Sequence, residues 1–210
     1  MIKDQNTTKD TLPKHQLQLF GYKSYFETFV KLFNNQELPH TLLLSGLKGS
    51  GKSTFIYHFT NYILSANEES KYSLSNFIIN KENLDYKHLI SNTHPNFFSI
   101  ENNEKDSVIK IDQVRALLKF ISKSTYSRNL KIIMIDDAEF LNKNSSNALL
   151  KALEEPSSNT FFFLIHDSSY KILDTIRSRC IEYKIFFSSD EKKGIFKNLM
   201  EQKNLNLDAD

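Results

Sequence analysis

The sequence predicts an α/β protein, a parallel sheet with helices on both faces, and three observations predict it. Unbroken apolar runs such as "TLLLS", "LKIIMID" and "TFFFLIH" alternate with segments whose apolar residues recur at helical spacing. A glycine-rich stretch, "GLKGSGKST", stands between one such run and one such segment. The 210 residues are 40% apolar and 25% charged, proportions of a soluble globular chain long enough for one α/β core and a small appendage.

Each element follows from its own pattern. A polar start, "MIKDQNTTKD", leads into "YKSYFETFVKLFNN", where Tyr22, Phe26, Phe29, Val30 and Phe33 share one helical face and "ELPH" stops the helix. "TLLLS" reads as a buried strand, and Ser53 to Leu64 as a helix carrying Phe55, Phe59 and Ile63 on one side. Residues 66–92 are polar and give no clear period. "NFFSIE" is a second strand, and "IDQVRALLKFIS" a helix turning Ile111, Val114, Leu117, Leu118 and Ile121 inward. Strand "LKIIMID", helix "SSNALLKALEE" ended by Pro156, strand "TFFFLIH", helix "YKILDTIRSR" and strand "IEYKIFF" follow, then the start of another helix. From about Ser188 the apolar pattern weakens, and no internal repeat is visible.

Composition also excludes several classes. A net charge of +2 gives no strongly basic field, so contact with nucleic acid requires a local patch. The single cysteine, Cys180, rules out an intrachain disulfide and a cysteine zinc site. No apolar run approaches the roughly 20 residues that span a bilayer, and the start lacks a secretory core. A reducing, cytoplasmic setting is expected.

Gly46-x4-Gly51-Lys52-Ser53 matches the phosphate-binding loop completely, in the strand-loop-helix context that it requires. Gly49 and Gly51 let the backbone curl so that successive amides, with those of Ser50 and Thr54 nearby, face a phosphate, and the following helix adds its positive end. Lys52 would neutralise charge near a γ-phosphate, and Ser53 would offer a hydroxyl to Mg²⁺. The alternative is a glycine turn that merely links strand to helix. In "KIIMIDDAEFL", Asp136 is the carboxylate expected on the Mg²⁺ side at a strand end. Asp137 follows where such ATPases usually carry a glutamate that orients the attacking water. It is shorter by a methylene, about 1.5 Å of bond length, and a misplacement of about 1 Å costs roughly a hundredfold. The alternative for Asp137 is a solvated or helix-capping carboxylate at a strand end. Glu139 is a further candidate base.

"DDAEFLNKNSSNALLKALEEPSSNTFFFL" followed by "LDTIRSRC" resembles the clamp-loader branch of the AAA+ ATPases. Within that branch the sequence is more similar to the delta-prime type of bacterial DNA polymerase III than to the tau/gamma type, on "LPHTLLLSG", "HPNFFSIE" and "IKIDQVRALLKFIS". The resemblance runs from about Leu19 to Phe187 and implies a P-loop NTPase fold over 19–187. A polar lead-in then occupies 1–18 and the beginning of a helical lid 188–210, with no collar, as in a fragment or a shortened form. It implies ATP and Mg²⁺ as cofactors, tau/gamma and delta subunits, the sliding clamp and primed DNA as partners, and a place in DNA replication.

In "SRC", Arg179 takes the position of the arginine finger that reaches ATP on the neighbouring subunit. On the residues alone it is a surface arginine paired with a carboxylate. Arg177 is a second candidate. Cys180 reads as a small buried residue, Glu154 and Glu155 as helix-end charges. His166 and Asp167 fall at the family's γ-phosphate sensor and are given no role. Lys119, Lys123 and Arg128 face either DNA phosphates or solvent.

The sequence departs from the family in having no four-cysteine zinc module, so no zinc is expected, and Phe20-Gly21-Tyr22 replaces the usual "Val-Gly-Gln". A tau/gamma-type motor, and a free-standing P-loop kinase with its own arginine clamp, are the competing readings.

Overall fold

The computed structural model describes residues 12–101, 108–123, 130–157 and 159–202. Its elements in chain order are α1 (Lys23–Asn34), β1 (Thr41–Gly46), α2 (Lys52–Leu64), α3 (Leu84–Ile90), β2 (Phe97–Ile100) and α4 (Ile111–Ser122). They continue as β3 (Lys131–Ile135), α5 (Lys143–Glu154), β4 (Thr160–Asp167), α6 (Asp174–Arg177), β5 (Ile181–Lys184) and α7 (Ser189–Gln202), with 3₁₀ turns at Pro13–His15 and Ala138–Phe140. The strands form one sheet in the order β2-β3-β4-β1-β5, and every pairing is parallel.

Alternation within each central strand divides the core in two. Leu42 and Leu44 of β1, Ile132 and Met134 of β3, and Phe163 and Ile165 of β4 face α1 and α2. Leu43, Ile133, Ile135, Phe162 and Leu164 face α4 and α5. The first layer is aromatic: Phe26 and Phe29 meet Phe55 and Phe59 edge-on at 5.0–6.0 Å. Each such buried ring contributes about 1.5–3 kcal/mol by leaving water, and edge-on pairing adds to that. On α4, Val114 and Leu117 are buried, while Ile111, Leu118 and Ile121 are half-buried. Lys131 extends along the end of that helix and its Nζ donates to the carbonyls of Phe120, Ile121 and Lys123, closing the negative terminus of α4 with a cation.

The β1–β2 connection runs over one face and the β4–β5 connection over the other, so the chain leaves the carboxyl ends of β1 and β4 in opposite directions. That divergence opens a crevice, the usual place for a ligand in such sheets.

Several elements differ from the sequence pattern. Helix α6 is one turn rather than the ten residues of "YKILDTIRSR". The Asp167 side chain accepts the Ser169 amide and the His166 ring bonds the Tyr170 carbonyl, which diverts this backbone from a helix. Helix α5 begins at Lys143, earlier than "SSNALL" indicates, because the Asn142 side chain accepts the Ser145 amide at 2.9 Å. Within 66–92, Ser73 and Gln18 both bridge Ile78, and Asn83 caps α3 through the Tyr86 amide at 2.7 Å. Glu68 accepts the Leu84 and Asp85 amides beside it. Residues 12–18 lie against the domain, with the Gln16 carbonyl bonded to the buried His58.

Candidate functional site

Strand β1 ends at Gly46, and the loop from Leu47 to Gly51 returns the chain to α2. Gly49 and Gly51 hold φ of 76° and 91°, a region that a side chain enters only with strain. The Gly51 position also lies under the Tyr22 ring, 3.3 Å from where a Cβ would be. The Tyr22 hydroxyl donates to the Ser50 carbonyl at 3.0 Å and fixes the outer side of the loop.

Lys52 opens α2 and is 5% exposed. Its Nζ folds back over the loop and donates to the carbonyls of Gly46 (2.8 Å) and Leu47 (2.7 Å), with the Ser50 hydroxyl at 3.5 Å. Burial pulls its pKa down, and the charges of Asp167, Asp136, Glu139 and Asp137 oppose that. Ser53 donates to Asp136 Oδ2 at 2.7 Å, so the two groups expected around Mg²⁺ meet directly. Burial raises the Asp136 carboxyl to about 6 despite that bond. Among the described residues no group of three or more His, Cys, Asp and Glu side chains is arranged to hold a metal. One hydroxyl and one carboxylate suit Mg²⁺, which keeps most of its waters and takes its other ligands from phosphate.

Asp137 stands in the left-handed region at φ 52° and begins the second 3₁₀ turn. Its amide donates to Asp136 Oδ1 at 3.0 Å, and its carboxylate lies 3.5 Å from Lys48 Nζ within the loop. Glu139 accepts the Asp167 amide through Oε2 at 3.2 Å, while its buried Oε1 has no hydrogen-bond partner among the described residues. Lys48, Lys52, Asp136, Asp137 and Asp167 line a cavity of about 360 Å³. Gly51 and Thr54 line both this cavity and an adjoining, more apolar cleft of about 440 Å³, walled by Leu19, Phe20, Tyr22, Ile195, Leu199 and Met200.

Arg179 stands elsewhere. The Thr41 hydroxyl, at the start of β1, donates to the Arg179 carbonyl at 2.8 Å. Gly46 ends that strand five residues on, roughly 17 Å away at strand rise. The Arg179 guanidinium is held by Glu154 (3.4 Å) and the Thr175 carbonyl (3.0 Å). Arg177 pairs with Glu182 at 2.7 Å. Cys180 is half-buried, its thiol pushed up to about 12 by burial. His166 is buried, bonding Ser45 Oγ (2.8 Å) and the Tyr170 carbonyl (3.0 Å). Lys119 and Lys123 are exposed on and beside α4; Arg128 lies outside the described residues.

Sequence reasoning named Lys52, Ser53, Asp136 and Asp137, and all four line one cavity. It missed Lys48, which occupies a variable position of the motif, and Tyr22, whose hydroxyl acts on a backbone carbonyl that carries no sequence signal.

A parallel sheet in this order, with a phosphate loop after β1 and paired carboxylates after β3, defines a P-loop ATPase fold of the AAA+ class. The same fold appears in a DNA polymerase III gamma subunit-related protein from Thermotoga maritima (TM-score 0.56, 18% identity, 86% of this chain and 53% of that one). It appears again in domain III of the replication initiation protein DnaA from Thermotoga maritima (TM-score 0.53, 16% identity, 94% and 76%). The family model described as DNA polymerase III, delta subunit, matches residues 21–188. Relatives named DNA polymerase III subunit delta' include that of Pseudomonas aeruginosa, 34% identical over 143 residues (68% of this chain, 42% of the relative). That of Escherichia coli K12 is 28% identical over 155 residues (74% and 45%). A DNA polymerase III gamma subunit from Buchnera aphidicola is 26% identical over 199 residues (94% and 52%). The chain belongs to the DNA polymerase III delta-prime family, and it spans about half the length of the curated relatives it matches.

Proposed function

We propose that this chain is a delta-prime-type subunit of a replicative clamp loader that holds ATP with Mg²⁺ and offers Arg179 to the nucleotide of a neighbouring subunit. The observation that carries the first half is the complete loop with Lys52 buried over it. On binding, Lys52 exchanges the carbonyls of Gly46 and Leu47 for phosphate oxygens, the loop amides hold the β-phosphate, and Ser53 with Asp136 holds the cation. The bound cation supplies charge neutralisation between phosphates. The apolar cleft beside Gly51 suits a flat base under Ile195 and beside Tyr22.

The position of Arg179 supports service in trans. At the amino end of β5 it is out of reach of its own loop, and its partly exposed guanidinium would exchange Glu154 and the Thr175 carbonyl for a neighbour's phosphate. A kinase would need an arginine on its own phosphates; Arg177 is paired with Glu182 and Arg179 with Glu154, away from the loop, which disfavours a free-standing kinase. Hydrolysis at the chain's own site is expected to be slow, because the short Asp137 is tied to Lys48 rather than aimed at a water. That disfavours a tau/gamma-type motor. In this reading the partners are tau/gamma and delta subunits, with the sliding clamp and primed DNA as the object of the work in the cytoplasm, and direct DNA contact through Lys119 and Lys123 is weak.

Calorimetric titration of the intact chain with an ATP analogue tests the loop. Lys52→Ala should abolish binding, and an unchanged affinity would remove the assignment.

A further inference from the structure

The acidic side of the loop is unequally compensated. Asp136 accepts from Ser53, and Asp137 is paired with Lys48. Asp167, at the last position of β4, is buried beside Lys52 with no ion-pair partner of its own within salt-bridge distance among the described residues. Its carboxylate accepts the Ser169 amide at 2.9 Å and lines the cavity together with Lys48 and Lys52 of the loop. Glu139 fixes its backbone through the Asp167 amide and adds a second negative charge close by. Burial alone would raise the Asp167 carboxyl, but the Ser169 amide and hydroxyl, the Lys52 ammonium and the Lys48 amide hold it below the usual carboxylate range, so it is ionised at neutral pH.

A phosphate seated in the loop against the amides near Gly51 avoids this group. A further phosphate, placed beyond Lys52 toward the ends of β3 and β4, meets the Asp167 charge on the cavity wall. Resting on the reading of the loop as a nucleotide site, we infer that Asp167 makes this site select a nucleoside diphosphate over a nucleoside triphosphate. The chain then takes both nucleotides but retains the diphosphate more tightly than ATP, with Asp167 as its specificity-determining residue. No bond is made or broken in this step; the selection is electrostatic and is strengthened by the partial burial of the cavity.

The experiment is calorimetric titration of the intact chain, in Mg²⁺, with ADP and separately with the non-hydrolysable triphosphate adenylyl imidodiphosphate. The diphosphate should bind about tenfold more tightly or better, which is ~1.4 kcal/mol. Asp167→Asn, and Asp167→Ser as a second variant, should bring the ratio close to one by tightening the triphosphate, with melting temperature as the check on folding. Equal affinities in the parent chain, or a ratio unchanged in both variants, overturn the role of Asp167 and leave the nucleotide site standing. Failure of the parent chain to bind either nucleotide removes the nucleotide reading, and this inference with it.

Discussion

Lys48 lies at a position of the phosphate loop where the motif accepts any residue, yet its ammonium is the partner of Asp137. Lys52, Ser53 and Asp136 were legible as candidates because the motif fixes side-chain chemistry at fixed offsets. The Lys48–Asp137 pair was not, because it depends on a left-handed residue at the end of β3 turning the carboxylate toward β1. A second residue that only packing explains is His58. It is fully buried, with Nδ1 at 3.0 Å from the Tyr72 hydroxyl and Nε2 at 3.0 Å from the Gln16 carbonyl, and burial lowers it from 6.5 to about 3. The unfolded chain takes a proton that the fold refuses, so stability from this group is lost as pH falls below about 6.5, by ~1.4 kcal/mol per unit until the folded pKa is reached. Asp136 acts in the opposite sense: raised to about 6, it costs stability above that pH and ceases to do so as pH falls toward 3.8. Comparing melting temperatures of the parent chain and His58→Gln from pH 7 to 4 isolates the histidine. The variant should lose less on acidification; parallel curves would refute the account.

At the scale of elements, α7 is the informative piece. Its apolar pattern is weak, and the sequence marks it only as a helix beginning near Ser188. The structure places its Ile195 directly on Gly21, where a Cβ would come 2.2 Å from Ile195 Cδ1 and where φ is 77°. This contact closes one wall of the apolar cleft. Gly21→Ala should therefore cost roughly 1–2 kcal/mol through backbone strain and displacement of α7. That lowers Tm by about 3–6 °C for a chain of this size, and it should weaken nucleotide binding as the wall moves. Adding Ile195→Ala should recover the part due to the collision but not the part due to φ, a split that thermal unfolding of the single and double variants reads directly. The short α6 shows the converse limit. Its sequence has helical spacing, but two strand-end side chains, His166 and Asp167, capture the backbone of residues 169–170 before a helix starts.

For the molecule as a whole, the direction of the strands matters most. All five run parallel, so everything that follows a strand lies at one end of the sheet and everything that precedes one lies at the other. The loop follows β1 and Asp136 follows β3, which brings them together; Arg179 precedes β5, which sets it apart. Arg179→Ala should accordingly lower the ATPase rate of a complex reconstituted with tau/gamma and delta subunits by roughly a thousandfold at the one site it serves, while leaving this chain's own nucleotide affinity unchanged. Loss of that affinity would place the arginine in cis. Hydropathy period, strand-loop-helix order and motif spacing by themselves determined the α/β class, the position of the phosphate loop and the identity of the paired aspartates, because each is a local property of consecutive residues. Strand order, the seating of α7 on Gly21, the Lys48–Asp137 pair and the place of Asp167 beside the loop were decided only by the tertiary structure. They depend on which strand ends become neighbours, and that is set by the burial of two apolar faces at once rather than by any segment alone.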